Sequence, residues 1–168
     1  MNSVVTINTV RFIVLVLVQV LVLNHVNFLG YINPYIYILF IILYPVKNNR
    51  TLFIFLSFLL GLSVDIFSDS GGVHAAASVF IAFVRPGFLK WIFGALYEHQ
   101  TIKFSNIELA PLVSYITLLT ILHHLILFSL EIFNFSRIIL IGQKTLFSGI
   151  FTIILCILVT IIFSRKGS

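Results

Sequence analysis

The chain has 168 residues, of which 60% are hydrophobic and only 9% are charged. This composition excludes an ordinary water-soluble domain, in which about a quarter of the residues are charged. A net charge of +5 would suggest nucleic-acid binding in a soluble protein, but here the basic residues stand between apolar runs and are expected to set membrane topology. Apolar runs of about 18–20 residues cross a bilayer as helices. The sequence therefore predicts an all-α integral membrane protein with about six transmembrane helices in one bundle, and no binding to nucleic acid.

The first predicted span is interrupted only by Gln19 and ends in the polar stretch Asn24-His25-Val26-Asn27. It is too long and too polar at its end for a signal peptide, and no small-residue cleavage site follows, so we expect it to remain in the mature protein. The second span opens near Pro34 and is short because it ends at Pro45.

The fourth span is expected to break or kink at Arg85-Pro86-Gly87. Residues 88–97 then fit either a short amphipathic helix in the headgroup region or a continuation of the fourth helix. Residues 138–141 are expected to add a helical turn before the sixth span. The six predicted spans cover about residues 9–26, 35–46, 51–67, 72–85, 108–131 and 144–163 of a single transmembrane domain, 1–168.

The basic residues determine the predicted orientation. With the N-terminus in the cytoplasm, all but two of the ten lysines and arginines lie on the cytoplasmic side, the exceptions being Arg137 and Lys144. This asymmetry follows the positive-inside rule. We therefore expect both termini in the cytoplasm and Asp65, Asp69 and His74 at the outer face.

The stretch from residue 57 to residue 78 organises the rest of the chain. One helix face carries a small, polar stripe, which consists of Ser57, Gly61, Asp65 and Ser68. A carboxylate at the centre of a bilayer costs about 2.5–3.5 kcal/mol, so Asp65 should face protein or water. Ser70-Gly71-Gly72 supplies a turn, and the alanines that follow allow close packing of the fourth span on the third.

Two further sets of polar residues lie inside predicted spans. In the fifth span Ser114, Thr117 and His124 share a face, which fits a proton relay or a substrate cavity, although interhelical hydrogen bonds are the favoured interpretation. His123 and His124 diverge by about 100° on a helix and do not chelate one ion together. The sixth span has a row of small side chains that predicts a helix-packing face, within the bundle or against a partner's helix: Ser148, Thr152, Cys156 and Thr160.

The motifs of enzymes are missing from the sequence, including GxSxG, HExxH and a phosphate-binding glycine loop. Asp65 and His74 could form an acid and base across the turn, but no nucleophile or set of metal ligands completes them. We therefore predict a protein that is not an enzyme, with no cofactor and no metal.

The central stretch resembles the motif of the rod shape-determining protein MreD family. The resemblance rests on Gly61-Leu62-x-x-Asp65-x-x-Ser68 followed by Gly72-x-His74-Ala75. The small size, the short second span and the basic C-terminus agree with that family over nearly the whole chain. The turn Ser70-Gly71-Gly72 departs from the proline or small apolar residue that is usual there.

This resemblance implies a non-enzymatic component of the bacterial elongation machinery in the cytoplasmic (inner) membrane, with a fold similar to the substrate-binding subunits of energy-coupling-factor transporters. It implies direct association with MreC and, through MreC, with MreB and with the SEDS and penicillin-binding wall synthases, besides contact with membrane lipid. The residues expected to form an outer-face structural or docking element are Gly61, Asp65, Ser68, Gly72 and His74.

The alternative is a vitamin-type substrate-binding subunit of a membrane transporter. Such a subunit should have an outward pocket and a small-residue face on its first span for the coupling subunit. Residues 11–26 contain neither alanine nor glycine, which argues against such a face.

Overall fold

The protein is described here from a computed structural model, which covers residues 2–26, 32–46, 49–99, 102, 104 and 107–164. The described part is helical: α1 (Asn2–Leu21), α2 (Ile38–Leu43), α3 (Arg50–Ser68), α4 (Val73–Phe93), α5 (Ala95–Glu98), α6 (Leu109–Ile132) and α7 (Ile138–Ser164). Within these residues five helices, α1, α3, α4, α6 and α7, are long and apolar enough to cross a bilayer. The chain is a multi-pass membrane protein.

The second predicted span contains the short helix α2 of only six residues. A helix of that length rises about 9 Å, too little to cross a hydrocarbon layer of about 30 Å. Residues 32–44, which we call the central segment, are buried almost throughout, and Tyr37, Ile38, Ile41 and Ile42 expose no surface. The long helices therefore enclose a broken stretch of chain rather than a sixth long helix.

The central segment runs antiparallel to α1. The amide of Gln19 donates to the carbonyl of Pro34 (3.1 Å), and the guanidinium of Arg11 donates to the carbonyl of Leu43 (3.3 Å). The chain thus returns along α1 mainly as irregular backbone. Irregular backbone at membrane depth is tolerated where protein surrounds it and bonds its polar groups.

Two buried ionisable residues define the ends of the bundle. Asp65 lies near the end of α3, where the chain turns into α4, and Arg85 lies on α4 beside the carbonyls of Ile42 and Tyr44. We call these the Asp65 end and the Arg85 end. The helices α3, α4, α6 and α7 alternate in direction, so that α7 ends at the Arg85 end. The helix α1 also begins there, because its Arg11 bonds the carbonyl of Leu43.

Of the break or kink predicted at Arg85-Pro86-Gly87, the break is wrong, because α4 continues through Pro86 to Phe93 and ends at Gly94, where φ is +46°. Proline is tolerated within membrane-spanning helices, where neighbouring groups bond the freed backbone. The Arg85 side chain bonds this part of α4 to the central segment. Residues 88–93 therefore belong to α4, and α5 follows separately. The sixth predicted span likewise begins at Ile138, so that residues 138–141 are continuous with it.

Gly61 sets the close approach of α3 and α4. A Cβ atom added there would lie 2.5 Å from the Cα and from the carbonyl oxygen of its neighbours on α4, Ala75 and His74 respectively. These are backbone atoms and have little freedom to move aside. The close packing expected from the small residues of this stretch is present at this contact.

We therefore expect Gly61→Ala to destabilise the bundle by about 1–3 kcal/mol, because the added methyl overlaps backbone. The matched control is Gly87→Ala, also in a helix, where an added Cβ meets nothing within 4 Å. Cys156 is the one cysteine of the chain and is fully buried, so its reaction with a thiol-reactive dye on heating in detergent reports unfolding. Equal midpoints for the two variants would contradict this account of the α3–α4 contact.

Candidate functional site

Asp65 closes the turn between α3 and α4 by bonding the start of α4. Its carboxylate accepts hydrogen bonds from the backbone N–H of His74 (3.0 Å), the backbone N–H of Ala75 (2.8 Å) and the hydroxyl of Ser70 (2.6 Å). The first residues of a helix have N–H groups without helical partners, and the helix dipole favours an anion there. Asp65 thus caps α4 from the preceding helix, at a position where Gly72 supplies no side chain.

A buried chain of hydrogen bonds links α4, the central segment and α6. The hydroxyl of Tyr37 lies 2.8 Å from Nδ1 of His74 and 2.8 Å from Nε2 of His123. A phenol has one proton, so Tyr37 donates to one imidazole and accepts from the other. Tyr37 and His123 expose no surface, and His74 exposes 5%. These three side chains therefore join three parts of the fold in the interior.

A second network joins α6, α7 and the central segment. Nδ1 of His124 donates to the carbonyl of Thr120 (2.8 Å), and Nε2 lies 3.0 Å from the hydroxyl of Thr152. The same hydroxyl accepts from the backbone N–H of Tyr35 (2.9 Å). Its single proton has two acceptors within reach, Nε2 of His124 and the carbonyl of Ser148 at 2.8 Å. Thr152 therefore holds backbone of the central segment and a histidine together.

At the Arg85 end, cationic and phenolic side chains bond the last carbonyls of α2. The guanidinium of Arg85 donates to the carbonyls of Ile42 and Tyr44 and to the hydroxyl of Tyr115 (2.8 Å). The guanidinium also lies over the ring of Phe53, 5.1 Å from its centroid. Cations are favoured at a helix C-terminus, where carbonyls lack helical partners.

The five residues of the expected outer-face element divide into buried and surface positions. Gly61, Asp65 and His74 are buried and take part in the contacts described above. Gly72 is partly buried with φ +94°, and Ser68 is exposed, where its hydroxyl accepts from Asn24 (2.8 Å). The structure thus brings four of the five to the α3–α4 turn contact, while Ser68 ties α3 to Asn24, in the short helical turn that follows α1.

The polar residues of the last two predicted spans also divide into buried and exposed positions. The row on α7 is buried at every position, which fits packing within the bundle: Ser148, Thr152, Cys156 and Thr160. On α6, however, His124 is buried while Ser114 is exposed and Thr117 is half-buried. Ser114 and Thr117 line an open groove of about 540 Å³ beside Trp91, so they do not share a site with His124.

Sequence reasoning missed Tyr35, Tyr37, Arg85 and Tyr115 as site residues. The local pattern around Arg85 predicts a helix break or kink, although an arginine within an apolar run is itself a signal of a buried functional or structural contact. Tyr37 bears no such signal, because its partners lie 37 and 86 residues away in sequence.

In the described part of the chain, no three histidine, cysteine, aspartate or glutamate side chains converge in a way that could hold a metal ion. Comparison with protein-family models, with curated proteins and with solved structures gives no match for this chain.

Removal of the Asp65 cap should destabilise the bundle. We expect Asp65→Ala to lower the free energy of unfolding by about 1–2 kcal/mol. The stability of Asp65→Asn should lie between those of Asp65→Ala and the wild type, because asparagine retains one acceptor oxygen. The control is Asp69→Asn, since Asp69 is exposed with φ +50°, a conformation that asparagine adopts readily. The Cys156 assay checks the order, and an Asp65→Ala midpoint equal to that of Asp69→Asn would refute the capping role.

Tyr37→Phe should remove one hydroxyl and leave Nδ1 of His74 and Nε2 of His123 without the hydrogen bond that each makes to Tyr37. We expect a loss of about 1–3 kcal/mol, measured by the same midpoint. The matched control is Tyr44→Phe, a buried tyrosine whose ring stacks on Phe53 with centroids 4.6 Å apart. If both substitutions shift the midpoint equally, the bridging hydroxyl of Tyr37 has no special role.

Proposed function

We propose that this chain is a non-enzymatic, MreD-type component of the bacterial elongation machinery, which couples MreC and MreB to lateral peptidoglycan synthesis from the cytoplasmic membrane. The observation that carries the proposal is the hairpin of α3 and α4. Its motif residues Gly61, Asp65 and His74 each make a definite contact that shapes one end of the bundle. These residues also carry the resemblance to the MreD family.

The filled interior favours a scaffold over a vitamin-binding subunit. A ligand pocket encloses most of its ligand and is lined by polar groups that point into it. Here the middle of the bundle is occupied by the central segment, including Tyr37 and Phe40, both almost without exposed surface. The hydroxyl of Tyr37 points at the imidazoles of His74 and His123 rather than into an open pocket.

The candidate acid and base also support a structural role. Asp65 directs both carboxylate oxygens at backbone N–H groups, and Nδ1 of His74 is bonded to Tyr37. A catalytic pair would need to reach a substrate at a common position. Asp65 and His74 are instead engaged on different neighbours.

The charge distribution supports an orientation with the Arg85 end in the cytoplasm and the Asp65 end outside, by the positive-inside rule. In that orientation the outer end of α3 exposes Phe67, with 67% of its surface accessible, and the C-cap residue Asp69 is exposed as well. We call residues 67–69 the exposed turn and propose it as the place where MreC docks, because it extends from the rigid end of the hairpin.

The proposal is tested by affinity purification of the tagged protein in mild detergent after co-expression with the MreC-type protein of the same organism. Phe67→Ala should reduce recovery of MreC several-fold. Phe133→Ala is the matched control, since Phe133 is also an exposed phenylalanine at the Asp65 end, between α6 and α7. Both variants should keep the wild-type unfolding midpoint.

Two results would contradict the proposal. Recovery of an ATP-driven coupling subunit or a stoichiometric vitamin with the wild type would indicate a transport subunit. Failure of the wild type to retain the MreC-type protein would remove the scaffold function, whereas equal recovery with both variants would remove only the docking position.

A further inference from the structure

Two polar atoms on α6 are fully buried and have no hydrogen-bond partner among the described residues: Thr120 Oγ1 and His123 Nδ1. Thr120 and His123 are three residues apart on α6 and share one helix face. Buried polar atoms in native proteins are nearly always bonded to protein or to ordered water.

We propose that Thr120 Oγ1 and His123 Nδ1 bind an ordered water molecule, which forms an internal hydration site within the membrane-spanning bundle. Buried waters typically make about three hydrogen bonds to polar groups that have no other partner. The spacing of one helical turn lets a single molecule reach both side chains.

The protonation of the Tyr37 chain favours water over other occupants. If His123 donates from Nε2 to Tyr37, its Nδ1 atom carries a lone pair; if it accepts from Tyr37, Nδ1 carries the proton. Water serves either arrangement because it both donates and accepts. A metal ion would need further ligands, and no metal-binding group of side chains is found in the described ranges.

The site would extend the buried hydrogen-bond chain by two members. The chain would then run from His74 on α4 through Tyr37 and His123 to Thr120. It would connect two spanning helices through the central segment, with every member paired.

The direction of the stability change in Thr120→Val tests the proposal. Valine has nearly the same shape as threonine, so the substitution should stabilise the protein if the Thr120 hydroxyl has no partner, and destabilise it if the hydroxyl binds water. We expect the midpoint of helix loss in detergent, followed by circular dichroism, to fall by about 2–4 °C. Thr160→Val is the control, because the Thr160 hydroxyl is also buried but donates to the carbonyl of Cys156 within its own helix.

Radiolytic labelling in ¹⁸O water gives the second readout, since bound water next to a side chain yields local oxidation. The wild type and Thr120→Ser, which keeps the hydroxyl, should incorporate ¹⁸O at His123, and Thr120→Val should incorporate several-fold less. The proposal requires both results. An unchanged or raised midpoint in Thr120→Val, or labelling at His123 that is absent in the wild type or equal in all three proteins, would overturn it.

Discussion

The fold depends on hydrogen bonds to the mostly irregular backbone of the central segment, which the long helices enclose at membrane depth. The central segment has too little helix to satisfy its own N–H and C=O groups, and each group left unpaired in lipid would cost several kcal/mol. Side chains of the surrounding helices supply the partners: Gln19 for Pro34, Thr152 for Tyr35, and arginines for the carbonyls that end α2. The long helices thus serve both as the lipid-facing wall and as carriers of these polar groups.

The same electrostatic rule operates at the two ends of the bundle with opposite sign. At one end a carboxylate, Asp65, meets the N–H groups that begin α4; at the other a guanidinium, Arg85, meets the carbonyls that end α2. Both charges are nearly buried, with 5% and 3% of their surface exposed. Burial of a charge is tolerated here because several hydrogen bonds replace its hydration.

The sequence was informative where a contact is local or periodic. Asp65 and Gly61 stood out as a carboxylate and a glycine on one stripe, and the four-residue row on α7 predicted a packing face that is buried throughout. Long-range contacts carried no such signal. The hydroxyl of Tyr37 joins residues on two distant helices, and Arg85 bonds carbonyls that lie 43 and 41 residues away in sequence. Pro45 marks the second span as short in the sequence. Its burial among the long helices depends on long-range contacts and has no local signal.

The buried motif also bears on the proposed partner contact. Asp65 is fixed by three hydrogen bonds at the base of the exposed turn, and the next residue in the chain of contacts, His74, bonds the central segment through Tyr37. A partner that docks on Phe67 or Asp69 would therefore contact a surface whose position is set by the interior. Because the turn is held to both α4 and the central segment, its exposed residues are presented in a fixed geometry, which would lower the ordering cost of the proposed docking.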